Sequence, residues 1–138
     1  PQAPAEIVNP GFAEIRVIMN PKGREVEVAI FGTTKDEADC QELAGRIRDH
    51  MESNCKYCVS KSIECKAAIS PRYAKFFDDE PSNVTYLSLN RSTSTERDVR
   101  LIFWGLTGTE GDAACDLAKQ IFEKIHKGPI KCVRAVSS

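Results

Sequence analysis

The chain has 138 residues, of which 19 are Lys or Arg and 20 are Asp or Glu, so its formal net charge is −1 at pH 7. A chain this close to neutral has no cationic field with which to gather nucleic acid by counterion release, and its apolar runs are too short to cross a bilayer. We therefore predict no nucleic-acid partner and no transmembrane segment, and the length is that of one domain with its own core.

The first twelve residues differ in composition from the rest. Three prolines occur within the first ten positions, without any hydrophobic periodicity, which is typical of an extended linker. We predict an extended N-terminal tether over 1–12 and a single domain over 13–138.

The segment 13–69 has the pattern of two strands, a helix and a third strand. Apolar residues alternate over 13–20 and again over 25–32, with turn residues between them, which predicts a β-hairpin. Two threonines then offer caps to a helix whose apolar stripe recurs every three or four residues until about position 54. A third strand is predicted over 59–69.

A short helix is predicted next. Ser70 is a suitable N-cap before a proline, and Pro81 prevents continuation beyond about position 79. The aromatic residues Tyr73, Phe76 and Phe77 are spaced so that they share one side of this helix. We expect them to form a lid over the sheet, with an exposed contact surface as the alternative.

The pattern of two strands, a helix and a strand then occurs again, over 83–137. The segment 98–105 matches 25–32 position by position, ending in an aromatic residue and a glycine in both cases. Asn90 ends one strand as Asn20 ends the first, and both closing strands contain an Ile-x-Cys motif.

The predicted fold class is therefore α+β. We expect two pseudo-symmetric ββαβ units, at about 13–69 and 83–137, joined by the short helix, with the long helices packed on an antiparallel or mixed sheet. One such unit leaves much apolar surface bare, whereas two can bury a continuous core.

The chain contains six cysteines, at Cys40, Cys55, Cys58, Cys65, Cys115 and Cys132. An even count this high in so small a chain favours disulfides and an oxidising compartment. Fifteen complete pairings are possible, and buried free thiols are the alternative.

The repeat favours two particular pairings, Cys40 with Cys65 and Cys115 with Cys132. In each unit one cysteine lies near the start of the long helix, which returns towards the strand that carries the other. The second pairing is less well supported. Leu43 and Ile47 are expected to face the sheet, and Leu117 and Ile121 match them in the second unit. In that alignment Cys115 lies one residue beyond the position equivalent to Cys40, so it is turned by about 100° around its helix relative to Cys40.

Cys55 and Cys58 form the remaining pair. A Cys-x-x-Cys can be a redox centre, but here it follows a helix C-terminus, where the dipole raises a thiol pKa. A zinc site would use His50, Cys55, Cys58 and Cys65, although the second unit has no counterpart. We favour a structural disulfide or buried thiols and predict no cofactor.

No motif in the chain assigns a reaction. The leading hypothesis is a non-catalytic binding or assembly module of a cell envelope or secretory compartment, periplasmic or extracellular, tethered through its N-terminal segment. Its partner would be a protein or a second copy, bound at the groove between the units or at a sheet edge. The candidate binding residues are Tyr73, Phe76, Phe77 and Trp104.

Two alternatives stay open. One is a thiol-redox or zinc-dependent enzyme that uses Cys55 and Cys58, and the other is an RNA-binding α+β domain in a reducing compartment. The sequence leaves open the ligand, the oligomeric state, and whether the two units share one sheet.

Overall fold

The computed structural model describes residues 11–20, 23–54 and 58–136, apart from the side chains of 50–54 and 58–61. The elements in chain order are β1 (Gly11–Met19), β2 (Val26–Thr34), α1 (Glu37–Asn54), β3 (Cys58–Lys66), α2 (Pro71–Ala74) continuing as a 3₁₀ turn (Lys75–Asp78), β4 (Tyr86–Leu89), β5 (Val99–Trp104), α3 (Gly108–Phe122) and β6 (Ile130–Val133). None of the described helices combines the length and the apolar content needed to cross a membrane.

The six strands of the described residues form one sheet in the order β3-β1-β2-β5-β4-β6. Every neighbouring pair is antiparallel, so the α+β class is confirmed and the sheet is antiparallel rather than mixed. The first three strands occupy one half of the sheet and the last three the other. The pairing of β2 with β5 joins them, and we call this pairing the seam.

Both long helices pack on the same face of the sheet, each over its own half. Helix α1 connects β2 to β3, which flank β1, so it lies mainly across β1 and β3. Helix α3 connects β5 to β6, which flank β4, and it lies mainly across β4 and β6. Two apolar cores result. The first centres on Ala13, Ile15, Val17 and Cys40, and the second on Leu87, Leu89, Leu101 and Cys115.

Helix α3 is rotated relative to the prediction. Cys115, Ala118 and Phe122 lie in the core of this half, whereas Leu117 and Ile121 are 59% and 54% exposed. The expectation that these two residues face the sheet is therefore wrong. Ala118 and Phe122 follow Cys115 by the same spacings at which Leu43 and Ile47 follow Cys40, so the two helices align on their cysteines.

Two disulfides are present among the described residues. Cys40 is bonded to Cys65 and Cys115 to Cys132, with Cα atoms 6.0 and 6.1 Å apart. These are the two predicted pairs. The second bridge forms because the rotation of α3 turns Cys115 into the sheet. The predicted pairing of Cys55 with Cys58 lies outside the described residues.

Several predicted boundaries and caps also change. Strand β1 begins at Gly11, two residues before the predicted domain boundary, and β3 ends at Lys66 rather than near 69. Ser70 stands at the N-cap of α2 but its side chain makes no capping hydrogen bond. Thr107 instead forms a full capping box with Glu110 at the start of α3.

The two bridges should contribute comparably to stability. They close loops of 25 and 17 residues, and the chain-entropy model assigns about 3 kcal/mol to each. Replacing both cysteines of either bridge with serine should lower the free energy of unfolding in guanidinium titrations by about that amount. Peptide mass mapping without reduction checks the pairing, and recovery of these four cysteines as free thiols would contradict it.

Candidate functional site

The connection from β3 to β4 crosses the sheet on the face opposite α1 and α3. Strand β3 is at one edge and β4 lies beside the other edge, so the chain has to traverse the sheet between them. Helix α2 and the 3₁₀ turn lie on this route, over the seam, and we call them the aromatic cap.

The aromatic cap is buried, as predicted for a lid. Tyr73 and Phe76 are 7% and 3% exposed. The ring of Tyr73 lies 4.9 Å from that of Phe31, and the ring of Phe76 lies 4.8 Å from that of Tyr86 in an edge-on contact. Phe77 is half-buried against the sheet. The cap therefore closes this face of the seam.

Trp104, another predicted binding residue, lies at the margin of the cap. Its indole is half-buried, with its centroid 6.3 Å from the Tyr73 ring. It lines a shallow surface depression together with Arg72, Lys75 and Asn83. Trp104 therefore borders a surface depression that is open to solvent.

Arg100 attaches the cap to the sheet. Its side chain is 1% exposed, and its Nε donates to the carbonyl oxygen of Phe76 at 2.8 Å while an Nη donates to that of Phe77 at 3.3 Å. Other bonds go to the carbonyl of Leu89 and the side chain of Asn90, both at 2.9 Å. Burial lowers the pKa of Arg100, and these acceptors offset the lost hydration. The sequence pattern did not predict this role, because a charged residue on a strand with one solvent-facing side is expected to point into water.

A second polar cluster surrounds Arg16 on the same face. Its guanidinium donates to Glu14 and Glu27, both at 3.0 Å, and to the hydroxyl of Tyr73 at 2.7 Å. Burial alone would raise the pKa of Glu14, but hydrogen bonds from Lys66 and Arg16 outweigh it and lower that pKa. Among the described residues, every buried side-chain nitrogen and oxygen has a hydrogen-bond partner. These clusters hold the cap in place.

The helix-covered face is open along the seam. Contacts between the described parts of α1 and α3 are at most marginal, and β2 and β5 lie between them. Val28, Ile30 and Phe103 on this face are half-buried, whereas Ala29 and Ile102 beneath the cap are fully buried. We call this channel the interhelical groove, with the floor residues Val28, Ile30, Leu101 and Phe103.

One wall of the groove is an apolar flank of α3. Glu110 pairs with Arg24 beside β2, on the seam side, and Asp116 pairs with Arg134 after β6, on the outer side. Leu117 and Ile121 lie two and three helical turns beyond Glu110 on the same flank. They therefore face the groove, which explains their exposure.

The width of the groove follows from the sheet. Helices α1 and α3 are centred near β1 and β4, three strand spacings apart. At about 4.8 Å per spacing their axes are about 14 Å apart, whereas closely packed helices are about 8 to 10 Å apart. The extra space of about 5 Å admits one extended chain.

A polar cavity of about 250 Å³ lies at the Thr33 end of the seam, between α1 and the loop that connects β4 to β5. The loop between β4 and β5 forms its rim, because Arg97 binds Asp39 of α1 with two hydrogen bonds of 2.6 and 2.8 Å. Hydrogen bonds from Arg97 are the main reason that the pKa of Asp39 falls to about 2. Burial alone would raise the pKa of Glu96, but the N–H groups of Lys127 and Ser92 hold it at about 2.

The zinc arrangement loses one ligand. Cys65 is bonded to Cys40 and so is not available as a thiolate. The side chains of His50, Cys55 and Cys58 lie outside the described residues.

Comparison with known proteins gave no match, whether to a protein-family model, a curated protein or a solved structure. Function is therefore inferred from the groove and the cap themselves.

Replacing Arg100 with leucine should destabilise the fold strongly. The substitution removes the guanidinium donors from the carbonyl oxygens of Phe76, Phe77 and Leu89. It also removes one of the two cations paired with Asp79, which keeps Lys131. The combined loss costs about 3 to 5 kcal/mol. Urea titration would measure it, with the exposed Arg24→Gln as the control. A loss no larger than that of the control would contradict the anchoring role.

The Asp39–Arg97 pair should make stability depend on acid. The pKa of Asp39 is about 2 in the folded chain against 3.8 ordinarily, so its contribution is complete above about pH 4 and disappears as the pH falls through 2. Solvent screening reduces this contribution to about 1 kcal/mol. In urea titrations between pH 5 and pH 2, the free energy of unfolding should fall less steeply for Asp39→Asn than for the parent protein. For the exposed Glu123→Gln it should fall as steeply as for the parent. Parallel declines in parent and Asp39→Asn would refute the assignment.

Proposed function

We propose that the chain is a non-catalytic binding or assembly module of a cell-envelope or secretory compartment, and that the interhelical groove is its contact site. The observation that carries this proposal is the position of the half-buried Val28, Ile30 and Phe103 beside the exposed Leu117 and Ile121. Contiguous apolar surface of this kind marks binding sites in soluble domains.

The two helices differ in a way that supports this function. The exposed positions of α1 between Glu37 and Asp49 carry no large apolar side chain. Helix α3 fills the corresponding place in its half yet exposes Leu117 and Ile121. The fold does not need apolar residues there, so their presence is better explained by a ligand.

Strand registers support a pseudo-twofold relation between the halves. Aligning Asn20 with Asn90, and 25–32 with 98–105, makes Val17 equivalent to Leu87 and Val28 equivalent to Leu101. Val17 lies opposite Val28, and Leu87 lies opposite Leu101. The seam is centred on Ala29 and Ile102, which the same alignment also makes equivalent.

The third strands depart from this symmetry. Cys65 lies opposite Ala13, whereas Cys132 lies opposite Leu87, the equivalent of Val17. The register of β3 on β1 and the register of β6 on β4 therefore differ by an even number of residues. An even difference keeps each cysteine on the helix-covered face. A duplicated ββαβ unit, whose pseudo-axis is perpendicular to the sheet and crosses the groove, accounts for the registers of the first two strands in each half.

The proposed compartment is periplasmic or extracellular, with the N-terminal segment as the tether. Two disulfides are compatible with an oxidising compartment. The enzyme alternative has less support, since one of its four candidate zinc ligands is in a disulfide.

A neutral apolar dye such as Nile red tests the groove. The folded protein should bind it, and Leu117→Gln combined with Ile121→Gln should weaken binding about tenfold, because half-exposed apolar contacts are removed from one wall. Fluorescence titration measures the affinity, and circular dichroism verifies the fold.

Val136→Gln provides the matched control. Val136 is 53% exposed but follows β6 at the opposite edge of the second half. It should leave dye binding unchanged. Absence of binding by the native protein, or equal weakening by the control, would rule out the groove as the contact site.

A further inference from the structure

We propose that the occupant of the interhelical groove is a single-chain amphiphile with an anionic head, of the fatty-acid class. The hydrocarbon chain would lie along the floor, and the head would enter the polar cavity at its end. This proposal rests on the proposed function and names its ligand.

The lining of the groove favours a hydrocarbon over a peptide. The floor is apolar, with Val28, Ile30, Leu101 and Phe103. The α3 wall carries Glu110 at its start, where Arg24 neutralises it, and then presents the apolar Leu117 and Ile121. The backbone groups of β2 and β5 are taken up by sheet pairing. A buried peptide would bring N–H and C=O groups that need partners, whereas a hydrocarbon brings none.

The dimensions also favour a single chain. The gap of about 5 Å between the helices is too narrow for a third helix, which is about 10 Å across with its side chains. Helix α3 has 15 residues and is therefore about 22 Å long at 1.5 Å per residue. A long extended chain matches that length.

The charge of the cavity at the end of the groove favours an anionic head. Three cationic side chains line it, Lys35, Arg46 and Arg97, against the carboxylates of Asp39 and Glu96. Both carboxylates are already satisfied, Asp39 by Arg97 and Glu96 by backbone N–H groups.

Arg46 is the cation best placed to bind the head. It lies two helical turns beyond Asp39 on the same flank of α1, and it is exposed. No described carboxylate forms an ion pair with Arg46, so its guanidinium is free to bind an anion. Guanidinium and carboxylate groups form strong paired hydrogen bonds, with hydroxyls of Ser94 and Thr95 beside them.

Calorimetric titration with hexadecanoate below its micellar concentration tests this assignment. Arg46→Gln should weaken hexadecanoate binding about tenfold, the loss of one charge-assisted contact, and should leave Nile red binding unchanged. Arg48→Gln is the matched control, because Arg48 is exposed on the other flank of the same helix. It should leave both affinities unchanged, and Leu117→Gln combined with Ile121→Gln should weaken both.

The outcomes separate this proposal from the proposed function. If Nile red binds in the groove but hexadecanoate does not, or if Arg46→Gln and Arg48→Gln weaken hexadecanoate equally, the anionic head is wrong and the groove stands. If neither probe binds, the groove itself fails. If sedimentation instead reveals a dimer that Leu117→Gln and Ile121→Gln dissociate, the occupant is a second copy and the amphiphile is overturned.

Discussion

The antiparallel pairing of β2 with β5 is the interaction on which the rest of the structure depends. Six residue pairs, Glu27–Gly32 with Val99–Trp104, join two three-stranded halves, and each of these strands would otherwise be an open edge. In each half the helix packs over the two strands that are farther from the seam. These are β1 and β3 under α1, and β4 and β6 under α3. The seam is therefore left uncovered on the helical face, and the groove is a consequence of the topology.

The opposite face of the seam is closed for a related reason. The connection from the edge strand β3 to β4 in the other half must cross the sheet. It places Tyr73 and Phe76 over the seam on the face opposite the long helices. Arg100 holds this connection by donating to the backbone carbonyls of Phe76 and Phe77 at the end of the 3₁₀ turn, where the last carbonyls of a helix lack a full set of intrahelical donors. A buried guanidinium stabilises only when its donors are satisfied. One face of the seam is thus a sealed core, while the other is available to a ligand.

Local patterns predicted much of this architecture. The element order, the lid and the favoured Cys40–Cys65 and Cys115–Cys132 pairings followed from alternation, helical spacing and the similarity of 25–32 to 98–105, which are patterns along the chain. The orientation of α3 did not follow, because Leu117 and Ile121 form as regular an apolar stripe as Ala118 and Phe122. Periodicity shows that a stripe exists, but it does not identify which of two stripes meets the sheet.

By itself, the sequence determined the α+β class and the order of the elements and favoured two cysteine pairings, since these depend on residue type and spacing along the chain. Only the tertiary structure decided that all six strands share one sheet, that Arg100 is buried, and that an apolar channel separates α1 from α3. Each of these depends on which distant segments meet. The strand register and the side of the sheet taken by each connection set those meetings, and no local pattern encodes them.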